Sequence, residues 1–453
     1  MNQNKQLTLD VDKNTMKAYI KTFGCQMNEY DSERIAYYLQ GQGYSLTGKL
    51  SDADIIVFNT CAVRQKAKNK LYGHLGNLKI LKKENPDLII CVGGCTAQNL
   101  KQEITDDFPF VDIVFGTLNI SELPQLIEEN RRADSSICRV PDSGFDYHLG
   151  NSENTYSFKA YVPIITGCNN FCSYCIVPLV RGREKSLAPD GIIGQIKHLA
   201  ANEVMEVTLL GQNVNSYGND LKQDIDFSDL LQRVSDTGIN RIRFMTSHPK
   251  DFSSKAIEVI GSRENIANHI HLPLQSGSNL VLDRMNRKYN AEKYMDIVSR
   301  IRKNIEDCSL TTDIIVGFPG EERKDFEKTL DMIKKIRFKR AFTFIYSPRQ
   351  GTGAAEYDDP VSSDEKKKWF LQLLEAQNRI SYEENLKMQG KRFVTLVEGP
   401  SPKGKGMLQG RLEDNTIALF EGKPELTGKL VLLDIAEAKN FYLIGKLKKL
   451  CKV

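Results

Sequence analysis

Short apolar runs alternate with longer amphipathic segments over the first 130 residues of the chain. The strand-like runs lie at 18–22, 54–59, 88–94 and 112–116, and the helical segments include 29–42, 63–84 and 121–130. Continuous apolar strands that alternate with helices are typical of a parallel sheet covered on both faces. The pattern predicts a doubly wound α/β domain over 16–132, and the polar, aperiodic residues 133–157 are expected to form a linker.

A second alternating series occupies residues 158–388 and contains six more strand-like runs. They lie at 160–166, 206–211, 241–245, 269–274, 311–317 and 341–346. Amphipathic helices are predicted between them, for example where Ile192, Ile196 and Leu199 repeat at helical spacing. Six βα units in succession predict a (β/α)6 partial barrel of the α/β class. A long helix over about 362–388, which carries the only tryptophan, is expected to close it.

The period changes again over 389–453, where short strand-like runs are separated by Gly, Pro, Asn and Asp. That spacing predicts a small antiparallel β-barrel. The whole chain has 62 Lys and Arg against 58 Asp and Glu, whereas residues 391–453 alone hold twelve basic and seven acidic residues. A basic C-terminal piece is therefore attached to a nearly neutral body.

Composition limits the class of protein. With 453 residues, of which 40% are hydrophobic and 26% charged, the chain is globular, and disorder and a small disulfide scaffold are excluded. The first residues are polar and acidic, and no apolar run approaches the ~18 residues of a membrane helix, so a cytoplasmic location is expected. In a reducing compartment the ten cysteines are expected to be ligands, nucleophiles or core residues.

Three of the cysteines, Cys168, Cys172 and Cys175, fall within eight positions directly after the first predicted barrel strand. Barrel active sites are built at that end of the strands. Thiolates held together repel by roughly 4 kcal/mol per pair at ~4 Å, and a bound cation or cluster would offset this. Three thiolates suit a cubane iron–sulfur cluster with one open iron. Structural zinc, which usually takes four ligands, is one alternative, and ordinary core cysteines are another.

Three further cysteines follow successive strands of the predicted N-terminal sheet. Cys25, Cys61 and Cys95 each stand directly after a strand-like run and before a helix. In a doubly wound sheet these strand ends lie on one edge, where ligands bind, so we expect the three thiols to converge on a second site. Burial as small core residues is the alternative for them. The remaining four cysteines are expected to have no chemical role.

Several longer motifs resemble the radical S-adenosylmethionine (SAM) methylthiotransferases, and most closely the MiaB type. They include KTFGCQMNEYDSE at 21–33, FNTCAVR at 58–64, GCNNFCSYCIVPLVRGRE at 167–184, LPLQSGS at 272–278 and MNRKY at 285–289. Relatives that modify threonylcarbamoyladenosine look more like GCKVNQ and NTCTVT, and those that modify a ribosomal protein look more like NTCGF and CAIP. This chain has GCQMN, NTCAVR and CIVP instead.

The resemblance implies three domains, the last of which is a TRAM domain, a small OB-like RNA-binding barrel. It also implies two 4Fe-4S clusters, an auxiliary one on Cys25, Cys61 and Cys95 and a SAM-binding one on Cys168, Cys172 and Cys175. The implied reaction is methylthiolation of C2 of N6-(dimethylallyl)adenosine at position 37 of tRNA, giving 2-methylthio-N6-(dimethylallyl)adenosine. Because that C–H is essentially non-acidic, radical chemistry is implied and no conventional acid or base catalyst is predicted.

The remaining contacts are predicted from position along the chain. Candidates for SAM follow the barrel strands and are Gln212, Asn213, Gln275, Ser276, Asp313 and Gly317. Candidates for RNA or substrate are basic and are Arg181, Arg183, Lys391, Arg392, Lys403, Lys405 and Arg411. Ordinary loop polarity, a solvated basic face and ion pairing with Glu184 are the respective alternatives.

The implied partners are a tRNA, whose anticodon-loop nucleotide would be splayed out, and a reducing electron donor such as flavodoxin or ferredoxin. No membrane partner is expected, and the chain is expected to be a monomer. Two other functions stay open at this point. One is the same chemistry on threonylcarbamoyladenosine in tRNA or on a ribosomal protein, and the other is a non-catalytic RNA-binding protein with structural zinc.

Overall fold

The computed structural model describes residues 15–62, 65–133, 135–144, 157–402, 404 and 406–451. The chain divides into two compact units. The first extends to Glu153 and also takes Leu179–Arg181, and the second holds Asn154–Pro178 and Gly182–Val453. The predicted partial barrel and the predicted C-terminal barrel therefore lie in one unit, and the three predicted domain boundaries stay a prediction. None of the described helices is long and apolar enough to cross a membrane.

The first unit contains a six-stranded sheet and five helices. The strands are β1 (Lys17–Phe23), β2 (Ser45–Leu46), β3 (Ile55–Thr60), β4 (Ile89–Gly94), β5 (Ile113–Phe115) and β6 (Ile137–Arg139). The helices are α1 (Gln26–Gln40), α2 (Gln65–Glu84), α3 (Cys95–Leu100), α4 (Glu103–Asp107) and α5 (Leu123–Ala133). All strands are parallel, in the order β2-β1-β3-β4-β5-β6.

Side chains of the strands in this sheet alternate between two apolar layers. Ile55 and Val57 pack with residues of α1 and α5, whereas Ile56 and Phe58 pack on the other face with residues of α2, α3 and α4. This alternation follows from the two-residue period of a strand. Helices on both faces of a parallel sheet confirm the predicted doubly wound fold.

One element of the first unit differs from the sequence prediction. The residues expected to be linker contain β6, which pairs in parallel with β5 and completes the sheet. Its three residues are only half-buried or exposed, so this edge strand lacks the apolar run by which the other strands were predicted. Residues 145–156 of the predicted linker lie outside the described residues.

The second unit opens with the strands of the partial barrel. They are β7 (Lys159–Pro163), β8 (Ile165–Thr166), β9 (Lys185–Ser186), β10 (Glu206–Leu210), β11 (Arg241–Phe244), β12 (His269–His271), β13 (Ser309–Val316) and β14 (Arg340–Ile345). The helices in this part of the chain are α6 (Val177–Arg181), whose last three residues belong to the first unit, α7 (Pro189–Ala201), α8 (Phe227–Ser235), α9 (Ser254–Ser262), α10 (Asn279–Arg284), α11 (Ala291–Asn304), α12 (Arg323–Ile336) and α13 (Ser363–Leu386).

Six of these strands form the predicted parallel wall. They are arranged as β11-β10-β7 and β12-β13-β14, and all their pairings are parallel. Backbone hydrogen bonds from Ile242 to Asn265 and from Ala267 to Ile242 join β11 to the segment before β12. Each of the six predicted strands is therefore confirmed. Strand β8 is the end of the predicted run 160–166, and it pairs with β9, which the sequence prediction missed; the pairing is antiparallel and closes the base of the loop between them.

Helix α13 follows β14, as the sequence predicts. Its Trp369 is buried and stacks on Phe326 of α12 with ring centroids 5.5 Å apart, and its indole N–H donates to Glu365. A large aromatic side chain with a satisfied N–H is a strong packing anchor. The tryptophan therefore fixes the closing helix on the barrel.

A closed five-stranded barrel ends the described chain. Its strands are β15 (Arg392–Pro400), β16 (Met407–Leu412), β17 (Ile417–Glu421), β18 (Leu430–Ala438) and β19 (Tyr442–Leu450), in the order β15-β16-β17-β19-β18. The predicted barrel is confirmed, with one difference in detail: β17 and β19 pair in parallel, because the chain crosses over β18 between them. Alternating apolar residues of all five strands fill the interior.

Two arginines of the partial barrel attach the small barrel to it. Arg243 donates from Nη1 to the carbonyl of Glu413 at 2.8 Å and from Nη2 to that of Leu412 at 2.7 Å. Its Nε donates to Glu206 at 2.8 Å, and Arg241 donates to the carbonyl of Arg411. Buried guanidinium groups that donate to a carboxylate and to main-chain carbonyls make a rigid joint.

Candidate functional site

The three N-terminal cysteines lie at the carboxyl ends of three neighbouring strands. Cys25 follows β1 and precedes α1, Cys61 follows β3, and Cys95 follows β4 as the first residue of α3. A hydrogen bond from the Cys61 thiol is the main reason that the pKa of Cys25 falls to about 6. Burial is the main reason that the pKa of Cys95 is raised. The structure thus brings these thiols to one edge of the sheet, as predicted.

Two glycines allow the strand ends to approach so closely. A Cβ at Gly24 would lie 2.9 Å from the Cβ of Cys61, so only glycine fits between the first two cysteines. Gly94 has a φ of +87°, and a Cβ there would meet the Oδ1 of Asn59 at 2.2 Å. The left-handed backbone at this position turns the chain from β4 into α3 and places Cys95.

Two buried asparagines connect the cysteine loops, and the sequence analysis assigned them no role. Asn59 donates from Nδ2 to the carbonyl of Asn28 at 2.8 Å and to the hydroxyl of Ser32 at 2.9 Å. Asn28 donates in return to Oδ1 of Asn59, and its own Oδ1 lies 3.3 Å from the Cys25 sulfur. This network fixes the loop after β1 against the loop after β3.

Arg181, for which the sequence analysis predicted an RNA contact, belongs to the first unit and is buried in this structure. Its Nη2 lies 2.5 Å from Oδ2 of Asp31, and its Nε donates to the Cys95 sulfur at 3.3 Å. The sequence alternatives were phosphate or Glu184. Asp31 is 150 positions away along the chain, so no local pattern could indicate it.

The other three cysteines lie on the loop 167–176, between β8 and α6. Burial raises the pKa of Cys168 to about 11 and that of Cys175 to about 12, and the charge of Cys172 raises both. Thiols with such pKa values keep their protons at neutral pH. A bound cationic group would hold Cys168 and Cys175 as thiolates, and three cysteines on one short loop form a donor set that suits a metal centre.

The segment 284–287 holds this cysteine loop in place. Ser173 donates from its backbone N–H to the carbonyl of Met285 and from its hydroxyl to that of Arg284. Asn286 donates to the carbonyl of Phe171 at 2.8 Å, and Arg287 donates from Nη1 to the Cys172 sulfur at 3.2 Å. The motif MNRKY contains Met285, Asn286 and Arg287, and the structure shows that each of them contacts the cysteine loop.

Among the buried polar atoms that lack a hydrogen-bond partner within the described residues, six lie just after β10, β11 and β12, and a seventh belongs to the segment that holds the cysteine loop. The seven atoms are Gln212 Oε1, Asn213 Oδ1, Asn215 Nδ2, Ser247 Oγ, His248 Nε2, Gln275 Oε1 and Arg287 Nη2. Buried polar atoms in proteins normally have partners, so these atoms indicate a polar ligand or bound water. Three of the residues were predicted as SAM contacts, and the other four were not.

His248 is a neutral donor at this place. The backbone N–H of Lys250 donates to its Nδ1 at 3.1 Å, which leaves the ring proton on Nε2. Burial, with a further contribution from the charge of Arg287, lowers the pKa of His248 to about 2. The ring packs edge-on against Tyr289, with centroids 5.7 Å apart.

Two predicted SAM contacts are used within the protein instead. The Ser276 hydroxyl is fully buried, accepts from the N–H of Ser278 and lies 3.4 Å from the Thr329 hydroxyl. The N–H of Gly317 donates to Glu321 at 2.5 Å. Both residues were predicted from their position after a strand. That position does not reveal that Thr329 of α12 lies beside the Ser276 hydroxyl, or that Glu321, just before α12, accepts from the N–H of Gly317.

Asp313 lies on the inner wall of the partial barrel beside two exposed aromatic rings. Its side chain is 32% exposed, and Oδ2 lies 3.3 Å from Nε2 of His271. The register of β13 and β14 pairs Asp313 with Phe342 and Ile315 with Phe344, so these four side chains share a face. Phe342 and Phe344 are 41% and 42% exposed. The sequence analysis treated them as ordinary strand residues.

The predicted RNA contacts of the second unit fall into different environments. Arg183 is exposed and its guanidinium stacks 4.2 Å from the centre of the Phe171 ring. Lys391 and Arg392 are exposed, and Arg392 is paired with Asp434 at 2.7 Å. Lys403 and Lys405 lie outside the described residues.

Arg411 differs from the prediction because it is engaged in a two-point ion pair. Its Nε and Nη2 lie 3.0 and 3.1 Å from the two carboxylate oxygens of Glu398, and Lys159 is paired with the same carboxylate. Although burial opposes ionisation, Arg411 and Lys159 lower the pKa of Glu398 to about 2. The guanidinium of Arg411 is therefore engaged within the protein. The exposed basic residues of β19 are Lys446, Lys448 and Lys449, which were not predicted.

Comparison with family models accounts for most of the chain in three segments. Uncharacterized protein family UPF0004 matches residues 17–116, the Radical SAM superfamily matches 162–333 and the TRAM domain matches 386–448. In fold, a radical S-adenosylmethionine methyltransferase, TsrM, from Kitasatospora setae is similar, with a TM-score of 0.58 and 12% identity over 75% of this chain and 77% of its own.

Curated relatives align over nearly the whole length. A tRNA-2-methylthio-N(6)-dimethylallyladenosine synthase of Clostridium botulinum (strain Loch Maree / Type A3) is 47% identical over 433 residues, which cover 94% of this chain and 96% of the relative. That of Syntrophomonas wolfei subsp. wolfei is 47% identical over 442 residues, 97% of this chain and 99% of the relative. The chain belongs to the tRNA-2-methylthio-N(6)-dimethylallyladenosine synthase family.

Membership of this synthase family implies a 4Fe-4S cluster and SAM, and the residues of the second unit fit both. Three cysteines lie on one loop, the raised pKa values of Cys168 and Cys175 call for a cationic partner, and polar atoms without a partner among the described residues lie at the neighbouring strand ends. In the described part of the chain, no three His, Cys, Asp or Glu side chains are placed to hold a metal ion. A cubane cluster takes each thiolate on a different iron, so its ligands need not converge on one ion.

Proposed function

We propose that this chain methylthiolates C2 of N6-(dimethylallyl)adenosine at position 37 of tRNA and gives 2-methylthio-N6-(dimethylallyl)adenosine. The observation that carries the proposal is the loop of Cys168, Cys172 and Cys175 in a chain 47% identical to relatives that bear this synthase's name. An enzyme of this family is expected to act on a hydrogen that side-chain acids and bases cannot remove.

Cys168, Cys172 and Cys175 would hold the 4Fe-4S cluster, and when bound this group supplies the electron for reductive cleavage of SAM. The unpartnered oxygens of Gln212, Asn213 and Gln275 are acceptors, suited to the amino group and hydroxyls of SAM. The unpartnered Nε2 of His248 and Nη2 of Arg287 are donors, suited to its carboxylate. These residues would bind and orient SAM.

Cys25, Cys61 and Cys95 would hold a second 4Fe-4S cluster that serves the sulfur transfer. The low pKa of Cys25 favours the thiolate that such a cluster needs as a ligand. Asn28 and Asn59 would keep the two loops at a constant separation, and Arg181 would present a positive charge to Cys95.

The inner wall of the partial barrel suits the modified base. Exposed aromatic rings stack on nucleobases, and a contact of this kind is worth ~1–3 kcal/mol. Phe342 and Phe344 offer two such rings, with Ile315 as an apolar neighbour for the dimethylallyl group. We place the splayed-out adenine of the anticodon loop against this face.

The proposed partners are a tRNA and an electron donor. Exposed lysines of β19 would contact tRNA phosphates. A flavodoxin or ferredoxin would supply electrons, and the chain would act as a monomer in the cytoplasm.

The test is nucleoside analysis of tRNA treated with the anaerobically reconstituted protein, SAM and a reductant. We expect 2-methylthio-N6-(dimethylallyl)adenosine from tRNA that carries N6-(dimethylallyl)adenosine, and none with the C168A variant. A 2-methylthio product from threonylcarbamoyladenosine tRNA, with none from dimethylallyladenosine tRNA, would assign the chain to the other tRNA substrate and overturn the proposal.

A further inference from the structure

Each three-cysteine site contains one buried arginine that donates to a cysteine sulfur, but the two arginines differ in their charge balance. Arg181 donates to Cys95 and is also paired with the carboxylate of Asp31. Arg287 donates to Cys172 and is only 8% exposed, but it has no such pair. The guanidinium charge of Arg181 is therefore balanced by a carboxylate, whereas that of Arg287 has no carboxylate partner among the described residues.

Two of the three nitrogens of the Arg287 guanidinium have hydrogen-bond partners in the described part of the chain. Nε donates to the Tyr289 hydroxyl at 3.1 Å, Nη1 donates to the Cys172 sulfur at 3.2 Å, and Nη2 has no partner. The guanidinium also lies 5.0 Å from the centre of the Tyr289 ring. None of these groups is a carboxylate.

A buried arginine without an anion is costly, because arginine stays charged at every accessible pH and loses its hydration. The Tyr289 hydroxyl, which donates to the carbonyls of Pro273 and Leu274, is neutral. When SAM is absent, the remaining candidates for negative charge near Arg287 among the described residues are the thiolates of the cysteine loop. The fold thus fixes the positive charge of Arg287 beside the cysteine loop, where an anionic group would balance it.

We propose that Arg287 is a positioning residue whose charge sets the reduction potential of the cluster held by Cys168, Cys172 and Cys175. Reduction adds one negative charge to the site, and a fixed positive charge beside a ligand sulfur favours the reduced state. The inference rests on the proposed function only in that this loop holds a 4Fe-4S cluster. It assigns Arg287 no contact with the RNA and no proton transfer.

The test is a redox titration of the full-length chain, monitored by electron paramagnetic resonance, in a C25A/C61A/C95A background. These substitutions leave only the cluster of the 167–176 loop to be observed. We expect R287Q to lower the ratio of reduced to oxidised cluster at a fixed potential at least about tenfold, which corresponds to about 59 mV for one electron. R287K keeps the charge and should stay nearer to the parent potential.

The matched control is R284Q, which removes an exposed guanidinium three residues away that donates to the Pro319 carbonyl and contacts no sulfur. It should leave the potential unchanged. An R287Q cluster with the parent potential would overturn the inference, as would an R287K shift as large as that of R287Q. If R287Q fails to hold a cluster, R287K decides: retention supports a role of the charge, and loss contradicts it.

Failure of this inference is distinguishable from failure of the proposed function. A wild-type chain that binds no SAM-cleaving cluster would refute the proposed function. A wild-type chain that makes the methylthio product while R287Q keeps the parent potential would refute only the role of Arg287.

Discussion

Nη2 of Arg181 lies 2.5 Å from Oδ2 of Asp31, and both side chains are almost completely buried. Removal of one partner leaves the other charge without compensation, which typically costs ~3–5 kcal/mol. We therefore expect Arg181→Met to lower the free energy of unfolding of the cluster-free protein by about that amount. The measurement is urea denaturation followed by circular dichroism.

The double variant Arg181→Met, Asp31→Leu is the control for this ion pair. It removes both charges and should recover most of the lost stability. An Arg181→Met variant of unchanged stability that binds tRNA more weakly would restore the original prediction that Arg181 contacts RNA.

The two cysteine sets predict a simple metal stoichiometry. The anaerobically reconstituted protein should contain about 8 Fe per chain, and substitution of either cysteine set by alanine should reduce this to about 4. Iron and zinc analysis by mass spectrometry checks this. Replacement of the isolated Cys308 by alanine is the matched control and should leave the iron content unchanged. About 1 Zn per chain without iron would favour a structural zinc site instead.

Glu398 predicts an acid-dependent stability of the joint between the barrels. Its pKa is about 2 in the folded protein against an ordinary value of 4.5, so folding favours the ionised form. The corresponding stabilisation, on the order of 3 kcal/mol, is present above pH 4.5 and is lost as the pH falls from 4.5 to 2.

Denaturation of the wild type and of Glu398→Gln between pH 2 and 7 measures this contribution. The stability difference between the two should be large at pH 7 and should vanish near pH 2. The exposed Glu421→Gln is the matched control in the same barrel. A difference that does not change with pH would show that Glu398 acts through packing alone.

The exposed ring of Phe344 predicts a substrate effect. Phe344→Ala should raise the KM for dimethylallyladenosine tRNA about 5- to 100-fold, because loss of one stacking contact costs ~1–3 kcal/mol. SAM cleavage without tRNA should be unaffected. Leu371→Ala, which removes an exposed apolar side chain on α13, is the control. Equal KM values for Phe344→Ala and the wild type would exclude the ring from the binding face.

Single charge substitutions in the small barrel test its contact with tRNA better than deletion of the whole barrel does. Deletion would strip Arg243 of its carbonyl partners and so disturb the partial barrel. Lys446→Glu and Lys449→Glu should instead weaken tRNA binding at low salt and reduce the slope of log K against log salt by about 1 each. Arg411→Gln should destabilise the protein and leave that slope unchanged. A reduced slope for Arg411→Gln would make it a phosphate contact after all.

The strands that position both cysteine sets could be predicted because each is a continuous apolar run. Buried parallel strands have this property, and it places Cys25, Cys61 and Cys95 at one edge without any local motif. The short strands β6 and β9 have no apolar run, and pairing with strands about twenty residues earlier in the chain decides their conformation.

The charged residues were predicted less well, for a related physical reason. A basic residue in the sequence looks the same whether it contacts a phosphate or a buried carboxylate. Arg181 meets Asp31 and Arg411 meets Glu398 only in the folded chain. Conversely, Arg287 and His248 have no local signal, because their significance lies in atoms that lack a partner.

The joint formed by Arg241 and Arg243 has an evolutionary consequence. These arginines donate hydrogen bonds to the main-chain carbonyls of residues 411–413. A main-chain carbonyl is present at every residue, whatever its side chain. Through these two arginines the partial barrel selects for a backbone path in its neighbour, whereas Lys159 and Glu398 pair through their side chains. Mutations that keep this ion pair can therefore remodel the outer strands of the C-terminal barrel for a new ligand while the two arginines keep their backbone partners.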